Sequence, residues 1–379
     1  MSRTAGKVLH VIDSLDLGGA QTFLLGLCRS LDPDRYRPEV ACMHGRGIFT
    51  TEFEEAGIPV RSLSRALWPP DYLANFAGLM AVGDYDILHF HLFGANLCAK
   101  PLAILAGHPR VVVHDQCNDA SRDSNPLLLA ADAFWNRFSR SIIAVSESTR
   151  RYLLDREDLP DDRVRVIPNG IDTDAFRPGS GSQREMARLE LGLPPDAEVV
   201  GGVGRLVDQK NYPLFLETAA LLLKTRPGTR FAIAGTGPLD ADLRGLAARL
   251  GIGDKVIFLG QVAGRRSLYH AFDAFLMTSA FEGTPMALLE AMACGVPVVA
   301  SAVDGIAEVC THGRDAFLVR EGGAPAYAAF LARVLEEPLG RNMGREARET
   351  VGRDYDIGFL ARRIMDLYDG FFLPASGMG

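Results

Sequence analysis

Two glutamates at the spacing Glu282-x7-Glu290 stand in a run, 274–299, whose remaining residues could build an anion site. An apolar strand is expected to end near Ser279, after which Thr284 reads as a helix N-cap and Pro285 as the first helical residue. Pro285 has no N–H, so the free donors at that helix start would be the amides of Met286 and Ala287, with Leu288 next in line. Together with the positive end of the helix dipole they suit an anion such as a diphosphate. Gly295 ends the helix and an apolar strand follows at once. Glu282 precedes the helix and Glu290 lies inside it, so the two do not share a helical face but can reach opposite ends of one extended ligand. Carboxylates accept hydrogen bonds from sugar and ribose hydroxyls. A capped surface helix with two solvated glutamates would carry the same residues, and this run alone leaves both readings open.

A second candidate opens the second half of the chain. An apolar strand at 199–203 runs into Gly204, and Arg205 and Lys210 follow on a loop. Glycine lets a ligand approach the backbone closely, and two cations suit a diphosphate. The spacing does not fit Gly-x-x-x-x-Gly-Lys-[Ser/Thr], so this is no P-loop, and an ordinary loop ion pair would also fit. Near the N-terminus a strand at 8–12 leads through a loop to Gly18, Gly19 and Gln21. The helix that follows should bury Leu24, Leu27 and Leu31. This segment lacks Gly-x-Gly-x-x-Gly, and no acidic residue closes a second strand about 20 residues on, which argues against a nicotinamide site.

Six of the eight histidines fall in the first half. His89, His91 and His114 stand at the carboxyl ends of expected strands, the edge of an open α/β sheet that faces ligand. His114-Asp115 closes an apolar run, where a polar ring reads as functional. For His89 and His91 a packed, satisfied histidine fits equally well. No His-x-x-x-His pair or clustered acidic set is present, so no metal is expected. The Asp-x-Asp triplets at Asp240/Asp242 and Asp354/Asp356 fall in or beside helical stretches and read as solvated faces.

These residues need a scaffold that sets strand ends side by side. Short β-branched runs alternate with helical patterns, the signature of parallel sheets covered by helices. Strands are expected at 8–12, 39–43, 87–91, 111–114 and 142–145, then at 199–203, 230–234, 255–259, 274–278 and 298–301. Each half thus has enough for its own doubly wound sheet, as the 379-residue length also suggests. The boundary is placed near the turn Pro168-Asn-Gly170, with residues 179–182 as a flexible connector. The expected domains are 1–170 and 171–356, with an amphipathic helix from Ile357 to Phe372 in the last segment, 357–379.

Composition narrows the function classes. Apolar residues make up 47% and charged residues 23%, and the net charge is −7. Residues 1–170 carry 18 basic against 21 acidic side chains and the remainder 22 against 26, so neither half has the basic excess of a nucleic-acid binder. Six scattered cysteines without a Cys-x-x-Cys pair point to reduced thiols and a cytoplasmic setting. No apolar signal segment and no run near ~18 apolar residues is seen, so no spanning segment is expected, while a peripheral contact at the inner face of a membrane stays open.

Taken together the segments resemble the family-4 retaining glycosyltransferases, whose fold is called GT-B: two Rossmann-like domains facing a central cleft. The likeness runs from Gly18-Gly-Ala-Gln21 to Gly313-Arg-Asp-Ala-Phe-Leu318. Its strongest element is Glu282-Gly-Thr-Pro285 leading to Glu290-Ala-Met-Ala293 and Gly295-Val-Pro-Val-Val299. His114, Val145-Ser-Glu147, Ile167-Pro-Asn-Gly-Ile-Asp172, Gly204-Arg205 with Lys210, and Ala234-Gly-Thr-Gly-Pro238 support it in the same order.

The resemblance implies roles. Arg205 and Lys210 would bind the diphosphate and stabilise its charge as it leaves. Glu290 would accept from ribose, and Glu282 with Thr284, Pro285, Met286 and Ala287 would hold the donor sugar and phosphate. His114 would touch the donor sugar from across the cleft. Gly18, Gly19, Gln21, His91, Gly204, Gly235 and Val262 would complete the substrate site. Gln21 stands where many relatives carry Glu. The last helix would return to the first domain. The implied reaction is retaining and metal-independent, with no cofactor besides the nucleotide-diphosphate sugar donor. UDP is the favoured base and GDP the rival. The acceptor would be a glycan, a lipid-linked species or a small molecule, read by first-domain loops at 45–51 and 65–72, the latter with Trp68-Pro-Pro70. A sugar-nucleotide epimerase of similar architecture and a non-catalytic sugar-nucleotide-binding protein are the alternatives. The first would turn over donor without acceptor and the second would never release nucleotide diphosphate.

Overall fold

The computed structural model describes residues 4–16, 18–64, 71–116, 125–262 and 265–373. The chain divides into two compact units, one of residues 1–170 with 357–379, the other of residues 171–356. Trp68, Pro69, Pro70 and the rest of 65–70 lie outside the described residues, as does Cys117; the other five cysteines are free thiols.

The first unit holds a parallel sheet of β1 (Gly6–Ile12), β2 (Tyr36–Cys42), β3 (Val60–Ser62), β4 (Ile87–His91), β5 (Val111–Asp115), β6 (Ser141–Ala144) and β7 (Val164–Val166). Its spatial order is β3-β2-β1-β4-β5-β6-β7. The second unit repeats the scheme with β8 (Val199–Val203), β9 (Arg230–Ala234), β10 (Val256–Gly260), β11 (Ala274–Met277), β12 (Val298–Ser301) and β13 (Phe317–Val319). There the order is β10-β9-β8-β11-β12-β13. In each sheet the direction of winding reverses between the first and fourth strands, and the crevice beyond the carboxyl ends at such a reversal is where open α/β sheets take ligands. In the first unit β1 and β4 flank it; in the second, β8 and β11.

Most expected strands form within a residue or two of their sequence positions, with β2 beginning earlier at Tyr36. The edge strands β3, β7 and β13 were not expected. Each is three residues long, too short to show an apolar alternation, and they are defined by pairing to β2, β6 and β12. Residues 179–182 are not a flexible connector. Ser180 caps the helix Gly181–Glu190 in a capping box with Gln183.

The helix Ile357–Gly370 buries Ile357, Leu360, Ala361, Ile364, Met365 and Tyr368, a single apolar stripe at helical spacing. It packs within the first unit beside the helix Gly19–Ser30, where a Cβ on Gly26 would meet the Ile357 side chain at 3.3 Å. Tyr36 donates to Asp369 at 2.6 Å, and Arg35 reaches both Asp366 and Asp369. Among the described residues no helix is long and apolar enough to cross a membrane.

Candidate functional site

In the second unit two loops are stitched together at the carboxyl edge of β8 and β11. After β8 the chain passes Gly204 and Arg205 and makes a 3-10 turn, Asp208–Lys210. Asn211, at φ 48°, then turns it into the helix Tyr212–Leu222. Asparagine tolerates this left-handed conformation better than most residues. After β11 the Thr278 hydroxyl donates to the carbonyls of Lys210 and Asn211 at 3.1 and 3.0 Å. The Ala280 amide donates to the Gln209 carbonyl at 2.8 Å, and the Gln209 side chain donates to the Phe281 carbonyl at 3.0 Å.

This stitching sets Lys210 on Glu282. The ammonium donates to Oε1, which also accepts from the Ser279 hydroxyl at 2.7 Å. The pair is largely buried, with the lysine side chain 17% and the glutamate 6% exposed. At an effective dielectric of ~20 two charges 4 Å apart attract by ~4 kcal/mol, but removing them from water consumes much of that. The pair therefore fixes position more than it adds stability. Glu282 is held from behind as well: its amide donates to Asp304 at 3.3 Å, and the Gly305 amide donates to its carbonyl at 3.2 Å. The fit there is close enough that a Cβ on Gly305 would lie 1.5 Å from the Gly283 carbonyl oxygen.

The helix after Glu282 spans Met286–Ala293, and Pro285, with extended backbone, is its cap. Its start is thus one residue later than the sequence suggested, and Thr284 is not the N-cap. The reason is that Leu288 and Leu289 both donate to the Pro285 carbonyl, which makes Pro285 the first acceptor. Leu288 is thereby spent, leaving Met286 and Ala287 as the amides without a protein acceptor among the described residues. Glu290 is fully buried on this helix and accepts from the Tyr269 hydroxyl.

The glycine loop beside it is interlocked. Gly204 donates to the Ala234 carbonyl at 3.0 Å and Leu206 to the Thr236 carbonyl at 2.9 Å. A Cβ on Gly235 would lie 1.9 Å from the Gly204 oxygen, so only glycine lets these backbones touch. Arg205 is exposed, and its side chain makes no hydrogen bond or ion pair among the described residues. Val262 is half-buried just past β10. The structure thus gathers Lys210 and Glu282 by direct contact, with Gly204, Arg205, Gly235 and the Met286 helix start on the adjoining loops.

In the first unit Gly18 and Gly19 open the helix Gly19–Ser30, and Gln21 is buried with its amide donating to the Ser14 carbonyl at 3.0 Å. His91 and His114 are fully buried and adjacent in register, as are His10 and His89. Four rings therefore share one face of β1, β4 and β5, with His114 set edge-on against Phe23 at 5.1 Å. Burial pushes His114 and His10 down to about 3, and holds His89 and His91 well below the usual range. His10 was not among the candidates from sequence, nor were Ser279, Asp304 and Tyr269. A histidine two residues into an apolar run, facing His-x-His on a neighbouring strand, was the available signal for His10. The other three depend on contacts between distant segments.

Comparison with known proteins agrees with this architecture. Residues 17–175 match the description Glycosyltransferase Family 4, and residues 183–350 match Glycosyl transferases group 1. The D-inositol 3-phosphate glycosyltransferase of Frankia alni is 32% identical over 316 residues, spanning 78% of this chain and 76% of the relative. The chain belongs to glycosyltransferase family 4. Another member, the UDP-Gal:alpha-D-GlcNAc-diphosphoundecaprenol alpha-1,3-galactosyltransferase of Escherichia coli, is 26% identical over 303 residues, 78% of each chain. Among solved structures, Anabaena HepE in complex with UDP-glucose superposes with a TM-score of 0.84, covering 96% of this chain and 99% of HepE at 24% identity. HepE has also been solved with UDP and glucose. This family-4 chain therefore has the GT-B fold and is a glycosyltransferase.

Proposed function

We propose that this glycosyltransferase is a retaining, metal-independent enzyme that moves a hexosyl group from a UDP-sugar to a hydroxyl of a glycan, lipid-linked or small-molecule acceptor. The observation that carries the reading is the edge of the second unit at β8 and β11. It presents Lys210 fixed on Glu282, an exposed Arg205, and the two amides of Met286 and Ala287, which have no acceptor among the described residues. Such an edge suits a diphosphate, and UDP is favoured because HepE binds it and the Escherichia coli relative is named for a UDP-sugar. Acceptor chemistry is drawn from the same relatives. In this reading the enzyme works in the cytoplasm, at the inner face of the membrane when its acceptor is lipid-linked.

The step breaks the bond between the anomeric carbon and the diphosphate oxygen and forms the bond to the acceptor oxygen on the same face. The acceptor proton passes to the departing phosphate, so no separate carboxylate base is required. Lys210, Arg205 and the helix-start amides stabilise the charge that grows on the diphosphate, a term larger in the transition state than in the bound donor. Glu282 accepts from donor-sugar hydroxyls, and Glu290 from ribose.

A thermal-shift panel of UDP, GDP, ADP and their sugars tests the donor. At a hundredfold excess over Kd a ligand adds about 2.7 kcal/mol of stability, so UDP compounds should stand out. Proton NMR of the first product formed should show the donor's anomeric configuration kept. Inverted product, or conversion of donor without any acceptor, overturns the assignment.

A further inference from the structure

The first unit contains a group of side chains that the transfer step proposed above does not use, although the family resemblance assigned two of them, His91 and His114, to the substrate site; both are fully buried. His10 on β1 and His89 and His91 on β4 are all fully buried, and one ring nitrogen of each lies within 4.8 Å of the others. His10 Nδ1 and His91 Nε2 are 3.0 Å apart and share a hydrogen bond, which an ion bound at these two atoms would replace. His114 on β5 stacks on the same group, with ring centroids 5.3 Å from His89 and 5.4 Å from His91. Strand alternation and register produce this: His10 pairs with His89 and His91 with His114, which turns all four rings to one face.

A buried ring nitrogen without a partner is costly, because it has given up water and gained nothing in its place. Here His10 Nε2, His89 Nε2, His91 Nδ1 and both nitrogens of His114 are fully buried with no hydrogen-bond partner. Five such atoms in one cluster are hard to reconcile with simple packing. An ion held by the cluster would take one nitrogen of each ring and could satisfy at most one of these atoms on each histidine. Neutral imidazole nitrogen is a preferred ligand of zinc-type ions, whereas magnesium and calcium require oxygen donors. His89 Nδ1 also meets the Tyr368 hydroxyl at 2.5 Å, the outer hydrogen bond by which a ligating imidazole is usually oriented.

We propose that His10, His89 and His91 form a binding site for a zinc-type divalent ion inside the first unit, with His114 placed to supply a fourth nitrogen. Zinc–nitrogen bonds of ~2.0–2.1 Å in a tetrahedron set ligand nitrogens ~3.3 Å apart, so closing on the ion takes about 1 Å of ring movement. The ion would tie β1, β4 and β5 together beneath the helix Ile357–Gly370 through Tyr368. It would be a structural ion, and the site stands independently of the donor and mechanism proposed above.

The test uses untagged full-length protein made in zinc-supplemented medium, cleared by gel filtration and analysed for metals. About one zinc per chain is expected, and protein made with cobalt should show the visible absorption of a nitrogen-ligated tetrahedral centre. His10→Gln and His89→Gln should hold at least tenfold less metal while binding UDP as the parent protein does. A folded parent chain that carries no metal and gives no cobalt band overturns the proposal, whatever the variants do. So does a metal content that His10→Gln and His89→Gln leave unchanged.

Discussion

Lys210 and Glu282 form an ion pair within the second unit, and the Ser279 hydroxyl donates to the same carboxylate oxygen at 2.7 Å. The lysine proposed to meet the diphosphate is thus positioned by the glutamate proposed to meet the sugar, and the two should not behave as independent residues. Lys210→Ala removes a charge-assisted contact worth about 1.5–3 kcal/mol, roughly a ten- to hundredfold loss. That loss should fall on kcat more than on donor affinity. Glu282→Gln should also lower kcat. The double variant should be less impaired than the product of the two single effects, a coupling of about 1 kcal/mol or more. Steady-state rates for all three decide it; strictly multiplicative losses would mean that the ion pair has no part in the reaction.

Chelation is the second test. If Lys210, Arg205 and the two helix-start amides meet the diphosphate as proposed, EDTA in the assay should leave the transfer rate within about twofold. Activity lost to EDTA and restored by Mn²⁺ or Mg²⁺ would overturn metal-independent transfer. A buried three-histidine ion would not give that response, because those two metals prefer oxygen ligands.

A third prediction concerns Gly305. A Cβ there would sit 1.5 Å from the Gly283 carbonyl oxygen, a backbone atom that cannot swing aside. Gly305→Ala should displace the Glu282–Gly283 turn, lower Tm by several degrees, and reduce kcat although residue 305 touches no substrate in the proposed reaction. Gly181→Ala is the control, since nothing lies within 4 Å of its added Cβ. Equal Tm and kcat for the two variants would contradict the packing described.

The buried histidines predict how stability depends on pH. Burial lowers the His10 and His114 values to about 3 in the folded state, against about 6.5 when unfolded. Between these values the unfolded chain binds more protons, so stability is complete above about pH 6.5 and declines as pH falls. Each ring contributes about 1.4 kcal/mol per pH unit in that window, on the order of 5 kcal/mol for two rings by pH 4.5. For metal-free protein, Tm followed from pH 7.5 to 4.5 should drop steeply below pH 6.5, with a shallower slope for His114→Phe. A flat profile to pH 5 would show that the rings are not held neutral by burial.

Much of the second unit was legible in sequence because its signals are local. The strand at Val199, the glycine at Gly204, and the Pro285 break before an apolar helix each show in a few consecutive residues. What sequence did not show depends on contacts between distant segments. Nothing in the chain order links Ser279 and Gln209 to Glu282, Asp304 to the amide of Glu282, or Tyr269 to Glu290. Even the start of the Met286 helix moved by one residue, because the acceptor of the first bonds proved to be the Pro285 carbonyl. In the first unit the histidines were visible one at a time, but their assembly required the register that aligns His10 with His89 and His91 with His114.

The remaining prediction concerns Glu290, which is fully buried and accepts from the Tyr269 hydroxyl. Two roles compete for this carboxylate. If it receives ribose hydroxyls, its contact with the nucleotide does not change during the reaction, and its loss should weaken the donor and free UDP alike. Tyr269 would then be a positioning residue that orients the carboxylate. On that account Glu290→Gln raises the Kd for UDP about tenfold or more, Tyr269→Phe raises it less, and kcat at saturating donor stays near normal in both. If instead Glu290 serves only hydrogen bonding inside the core, Tyr269→Phe loses a buried hydrogen bond, about 1–3 kcal/mol, Glu290→Gln keeps a neutral form of it, and both bind UDP normally. Calorimetric titration with UDP beside thermal unfolding separates the cases. A lowered Tm with an unchanged Kd in both variants would remove Glu290 from the donor site.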